Sequence, residues 1–189
     1  SILFYPVQYE GEESERNVFY TGAAPNQQAI PAVDYLAKEE KVQRWVLAGT
    51  DYVYPRTANR IIKKQLAGSG GQLLGEIYVP LGDKNMQPAI NEISRAMPDG
   101  GVIINTINGD SNVAFFETIY AAGITHDARY SIMSFSVSEE EVFAIGPKHL
   151  EHSLASWNFF QSLESQNAKE FTRRFQAMHG IHRVTNDPA

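Results

Sequence analysis

Three short segments of this sequence gather side chains able to hold a small polar molecule. Thr50-Asp51-Tyr52-Val53-Tyr54-Pro55 follows the apolar run Trp45-Val46-Leu47-Ala48. Asn105-Thr106-Ile107-Asn108-Gly109-Asp110-Ser111 follows Val102-Ile103-Ile104, and Ser134-Phe135-Ser136-Val137-Ser138 ends a run that opens at Ser131. Hydroxyls, carboxamides, carboxylates and two phenols therefore recur directly after β-type runs. Such groups supply reversible hydrogen bonds and flat aromatic walls. Ser, Thr, Asp and Asn also cap helices and shape turns, and Asp110-Ser111 and Ser138 fit that reading. Capping does not account for Tyr52 and Tyr54 beside Pro55, where the alternative to a ligand contact is packing at the rim.

Signatures of catalysis are missing. The chain has no P-loop and no G-x-G-x-x-G after a strand, and Gly68-Ser69-Gly70-Gly71 follows a helical stretch instead of opening one. No G-x-S-x-G nucleophile elbow occurs. The histidines at 126, 149, 152, 179 and 182 fall in loops or late segments. His149 and His152 have i, i+3 spacing but no third metal ligand nearby, so they read as a surface pair and no metal or cofactor is expected. Glu139-Glu140-Glu141 suits a helix start, where the macrodipole favours acids. The run Trp157-Asn158-Phe159-Phe160 reads as core or hinge packing in a chain this acidic.

The elements that must position the three segments alternate regularly. Strands are expected at Ile2–Tyr5, Asn17–Ala23, Arg44–Gly49, Gln72–Leu81, Val102–Ile104 and Ser131–Ser136, with an extended segment over Leu150–Phe160. Helical spacing covers Gln27–Glu40 with Asn26 as N-cap, Arg56–Ala67, a helix opening at Pro88, Ser111–Ala122, Glu139–Phe143 and Ala168–His179. Ile61, Ile62 and Leu66 would face the sheet, as would Ile90, Ile93 and Met97. Such alternation with short connections defines an α/β fold, a mostly parallel doubly wound sheet with helices on both faces. In that architecture ligands bind at the carboxyl ends of the strands, where the three polar segments lie.

At 189 residues, 43% apolar and 20% charged, the chain has the composition of a globular domain. A net charge of −6 gives no electrostatic reason to expect nucleic acid or an anionic membrane as partner. The absence of cysteine excludes disulfides and thiolate metal sites. No apolar run approaches the roughly 20 residues of a membrane helix, so direct insertion is not expected. The sequence opens in mid-strand and stops after Asn186-Asp187-Pro188, so both ends read as cut, and no signal peptide is present.

Several long motifs resemble the urea-binding receptors of ABC transporters. They are Tyr5–Gly11 (YPVQYEG), Tyr20–Gln28 (YTGAAPNQQ), Gly49–Arg56 (GTDYVYPR), Asn105–Phe116 (NTINGDSNVAFF), Ser134–Glu141 (SFSVSEEE), Ala155–Phe160 (ASWNFF) and Arg183–Pro188 (RVTNDP). The Asp-Tyr-x-Tyr-Pro-Arg element is also similar to the short-chain-amide sensors of amidase operons. Both groups belong with periplasmic binding proteins of the branched-chain-amino-acid type. The resemblance implies a type I periplasmic-binding-protein fold: two α/β lobes joined by three crossovers and closing over a ligand. On that pattern residues 1–16 are a stub of one lobe and residues 17–189 the second lobe, with crossovers near 21–28 and 184–188. Location in the periplasm, or lipid-anchored at the extracellular face, follows, as does a membrane permease as partner.

The same resemblance puts Asp51, Tyr52 and Tyr54 at the ligand. Thr106, Asn108, Asp110 and Ser136 join them by strand-end position. Urea presents one carbonyl acceptor and four N–H donors on a flat frame, which suits an acceptor-rich site with aromatic walls. A branched-chain amino-acid receptor and an amide sensor or regulator on the same fold remain as alternatives. A lobe separated from its mate would leave a face open to self-association.

Overall fold

The computed structural model describes residues 1–185, which leaves Asn186-Asp187-Pro188 of the expected second crossover outside the described residues. The chain forms β1 (Leu3–Tyr5), β2 (Val18–Tyr20), α1 (Ala29–Lys38), β3 (Arg44–Thr50), α2 (Val53–Ser69), β4 (Gln72–Val79), α3 (Gln87–Ala96), β5 (Gly101–Thr106), α4 (Asp110–Ala121), β6 (Tyr130–Ser134), α5 (Glu139–Ile145), β7 (Ser153–Ala155) and α6 (Gln166–His179). Strands β4-β3-β5-β6-β7 make a parallel five-stranded sheet in that order. The two short strands β1 and β2 pair only with each other, Leu3 beside Val18 and Tyr5 beside Tyr20. The strand expected over Asn17–Ala23 is thus three residues long and lies outside the main sheet.

Side-chain alternation along the strands divides the core. Val46, Ala48, Ile103 and Ile132 face one way, onto Ile90 and Ile93 of α3 and Phe115, Phe116 and Ile119 of α4. Trp45, Leu47, Val102, Ile104 and Met133 face the other way, onto Val33 and Leu36 of α1 and Ile62 and Leu66 of α2. Parallel strands covered on both faces are continuous apolar runs for this reason.

Helix boundaries differ from the periodicity, and three of the differences lie near the sheet's carboxyl end. α2 begins at Val53, three residues before the expected Arg56, with Pro55 in its first turn. The missing N–H costs little there, because the first four helical N–H groups have no intrahelical acceptor. α1 begins at Ala29 behind Gln28, and Asn26 is not its cap. The Gln28 amide serves another purpose: it is 3% exposed and donates to the carbonyls of Phe135 (3.1 Å) and Ser156 (2.5 Å), tying α1 to the ends of β6 and β7. α4 is preceded by Gly109 at φ 65°, a left-handed position that favours glycine, so neither Asp110 nor Ser111 caps it. Ser138 does cap α5, in a capping box with Glu141. Gly49 allows the close approach on which the sheet's carboxyl end depends, since a Cβ there would stand 2.5 Å from the Thr106 hydroxyl and 2.9 Å from Pro55.

Candidate functional site

The strand order reverses between β3 and β5: the chain leaves β3 for β4 on one side and returns to β5 on the other. Diverging connections open a crevice at such a point. A cavity of about 550 Å³ lies there, with Tyr52, Val53 and Tyr54 after β3, Asn108, Gly109, Asp110, Asn112 and Val113 around the start of α4, and Ser136 after β6 in its lining. Ala144, Glu140 and Glu141 of α5, Trp157, and Tyr5, Val7, Gln8 and Glu10 of the N-terminal segment complete it.

Hydrogen bonds across the three strand ends fix this rim. Asn108 Nδ2 donates to the Tyr52 hydroxyl at 2.8 Å, and Ser136 Oγ donates to Asn108 Oδ1. Beneath them lies Asn105, fully buried, which donates to Asn112 Oδ1 (2.9 Å) and Ser134 Oγ (3.0 Å) and accepts from the Ile107 N–H (2.9 Å). Asn112 in turn donates to the Ser136 carbonyl at 3.3 Å. Buried networks with their members satisfied hold one geometry.

Tyr54 stands apart from this network. It is 7% exposed and lines the cavity, yet its hydroxyl has no hydrogen-bond partner among the described residues. Burial pushes its phenol well above the ordinary range, with lesser contributions from Tyr52 and Glu10. Tyr52 is half-buried and raised by burial and then by Glu10. Both phenols therefore stay protonated and can donate as well as accept.

Five of the seven expected residues, Tyr52, Tyr54, Asn108, Asp110 and Ser136, come together in the lining. Asp51 and Thr106 do not reach it, for separable reasons. Asp51 is exposed and its carboxylate is taken by Arg56 Nε at 2.5 Å, which holds its pKa below the usual range. Thr106 is fully buried, its hydroxyl held between the Ala48 carbonyl (3.3 Å) and Asn59 Oδ1 (3.1 Å). Successive side chains of a strand point to opposite faces, and Thr106 takes the inward one.

The sequence reading missed the contribution of Tyr5, Gln8 and Glu10, and took Trp157 for packing where it lines the cavity. The Tyr-Pro-Val-Gln-Tyr-Glu motif was visible, but no β-α pattern assigns those residues to a strand end of the main sheet. Gln8 reaches it by donating to the Phe135 carbonyl at 3.0 Å. The histidines lie elsewhere: His126 and His149 pack on either side of Tyr120, at 4.4 and 4.7 Å between ring centroids. Among the described residues no cluster of His, Asp or Glu is arranged to hold a metal ion, and no helix is long and apolar enough to cross a membrane.

A parallel α/β lobe with an aromatic, acceptor-lined crevice at its switch point defines a ligand-binding domain. The chain belongs to the periplasmic binding protein domain family, which it matches over residues 1–189. Members of this family bind solutes and are not enzymes. Solved structures share the fold. An amino-acid ABC transporter substrate-binding protein from Pseudomonas fluorescens Pf-5 superposes with a TM-score of 0.78 at 18% identity, over 97% of this chain and 49% of that one. A benzoate-bound solute-binding protein of an R. palustris ABC transporter gives 0.74 at 19% identity, over 90% of this chain and 45% of that one. A branched-chain amino acid ABC transporter ligand-binding protein from Burkholderia xenovorans LB400 gives 0.71 at 18% identity, over 83% and 41%. The chain thus spans about half the length of the solved structures it matches.

Proposed function

We propose that this chain is one lobe of a two-lobed receptor that captures urea or a short-chain amide between its lobes and hands it to the permease of an ABC transporter. The receptor works outside the cytoplasmic membrane, in the periplasm. Residues 17–189 form the lobe with the five-stranded sheet, and residues 1–16 belong with the other. The crossovers lie at residues 21–28 and near residue 184.

One observation carries the ligand reading: among the described residues the cavity is lined by phenols, carboxamides and carboxylates, and by no Lys, Arg or His. An anionic ligand such as the benzoate of the R. palustris protein would find no cationic side chain here. A neutral, flat ligand rich in N–H donors finds acceptors at Asn108, Asp110 and Ser136 and aromatic walls at Tyr52 and Trp157. Closure excludes water, so each unmatched hydrogen bond then discriminates against analogues. Hinge closure over the ligand is the established motion of this architecture. Calorimetric titration of the full-length receptor with urea, acetamide, leucine and benzoate tests the reading. Urea or acetamide is expected to bind tightest; tighter binding of leucine or benzoate overturns it.

A further inference from the structure

The charge around the cavity is one-sided. Among the described residues four carboxylates line it, those of Glu10, Asp110, Glu140 and Glu141, without a basic side chain. Glu141 is engaged by the Ser138 N–H at 2.8 Å and by the Ser138 hydroxyl, and Asp110 and Glu140 are exposed. Glu10 differs. It is half-buried and makes no hydrogen bond or ion pair among the described residues. It lines the same cavity as Tyr52 and Tyr54, and its charge adds to burial in raising both phenols, behind Tyr52 in the case of Tyr54. Tyr54, 7% exposed and with no partner for its hydroxyl among the described residues, lines the same space. The N-termini of α2 and α4 offset the carboxylates by only about half a positive charge each, so the potential in the crevice stays negative.

We propose that the crevice accepts a guanidinium-class cation as well as a neutral amide, with Glu10 as the carboxylate that receives it. The inference rests on the reading of this cavity as the ligand cleft. Guanidinium keeps the flat three-armed frame of urea but replaces the carbonyl by a third amino group, so it offers N–H donors in every direction and accepts nothing. Carboxylate, phenol and carboxamide oxygens match that pattern, and a planar cation is attracted to the faces of Tyr and Trp rings such as Tyr5, Tyr52 and Trp157. A carboxylate facing the ligand with no other partner is most favourably placed opposite a cation.

The test is calorimetry on the full-length receptor and its Glu10→Gln variant, with millimolar guanidinium chloride, urea and benzoate as probes at two sodium chloride concentrations. Guanidinium is expected to compete with urea and to bind more weakly at the higher salt, whereas urea binding is unaffected by salt. Glu10→Gln should weaken guanidinium at least about tenfold, the loss of one charge-assisted hydrogen bond, and urea less than about threefold. Melting of Glu10→Gln close to the unaltered protein confirms that the change is local. Urea binding without guanidinium binding overturns the proposal and leaves the amide reading standing. Guanidinium binding without urea overturns the amide ligand and leaves the cation at Glu10 standing. Equal loss of both ligands in Glu10→Gln removes Glu10 from the role, and binding of benzoate alone overturns both readings.

Discussion

Replacing Asn105 by Leu keeps the branching at Cγ and removes every polar atom beneath the crevice. Three hydrogen bonds go, at 2.9, 3.0 and 2.9 Å, from Asn112, Ser134 and Ile107. The Ser134 oxygen loses a donor, but its own O–H stays able to hydrogen-bond elsewhere. The Ile107 N–H and Asn112 Oδ1 cannot do so easily, on residues 0% and 2% exposed. A buried group left unpaired costs about 1–3 kcal/mol, so two give roughly 3 kcal/mol after the added apolar contact of Leu. For a domain of this size about 2–4 °C of melting temperature is lost per kcal/mol, which makes the expected fall roughly 6–12 °C. Thermal melting followed by circular dichroism is the assay, since both common chaotropes are here proposed ligands. Asn112 and Asn108 lose their support together, so ligand affinity of the full-length receptor should fall as well. A melting point within about 2 °C of the unaltered protein would refute the argument that this network holds the rim.

Tyr54→Phe should leave the melting temperature unchanged, because the hydroxyl has no partner among the described residues, yet weaken amide binding by about 1 kcal/mol in calorimetry of the full-length receptor. A lowered melting point with unchanged affinity would make Tyr54 a packing residue. Asp127 has its pKa lowered to about 2, chiefly by hydrogen bonds from the Arg129 side chain. Its folded value lies below the ordinary 3.8, so the stabilisation is complete above that pH and is lost as pH falls toward 2. Asp127→Asn should therefore melt below the unaltered protein at pH 7 and level with it at pH 2, and an equal gap at both would refute the assignment. The 189-residue chain by itself exposes Ile2, Phe4, Val7 and Phe19 at 66, 66, 58 and 51%. Sedimentation should show it self-associating, and titration should show urea binding weaker by orders of magnitude than in the full-length receptor; micromolar binding would place the whole site within these residues.

The alternation of apolar runs and helical periods was enough to define a parallel α/β sheet, because strands covered on both faces are apolar along most of their length, with polar residues gathered at their carboxyl ends, while amphipathic helices carry a polar face. Ile62, Leu66, Ile90, Ile93 and Met97 face the core as their spacing requires. The strand ends also announced Tyr52, Tyr54, Asn108, Asp110 and Ser136, since polar and aromatic residues directly after such strands meet at the sheet's carboxyl edge. Tertiary structure decided the rest. Thr106 and Asn108 are two positions apart in one polar segment, yet a buried acceptor on Asn59 takes the first and Tyr52 holds the second at the rim. Asp51 is adjacent to Tyr52, but the next turn of α2 brings Arg56 to its carboxylate. Tyr5, Gln8, Glu10 and Trp157 join the cavity across long stretches of sequence, through contacts such as Gln8 with the carbonyl of Phe135. Local pattern records which face of an element a residue occupies; which side chain from elsewhere reaches that face depends on how the elements pack, and no local period encodes it.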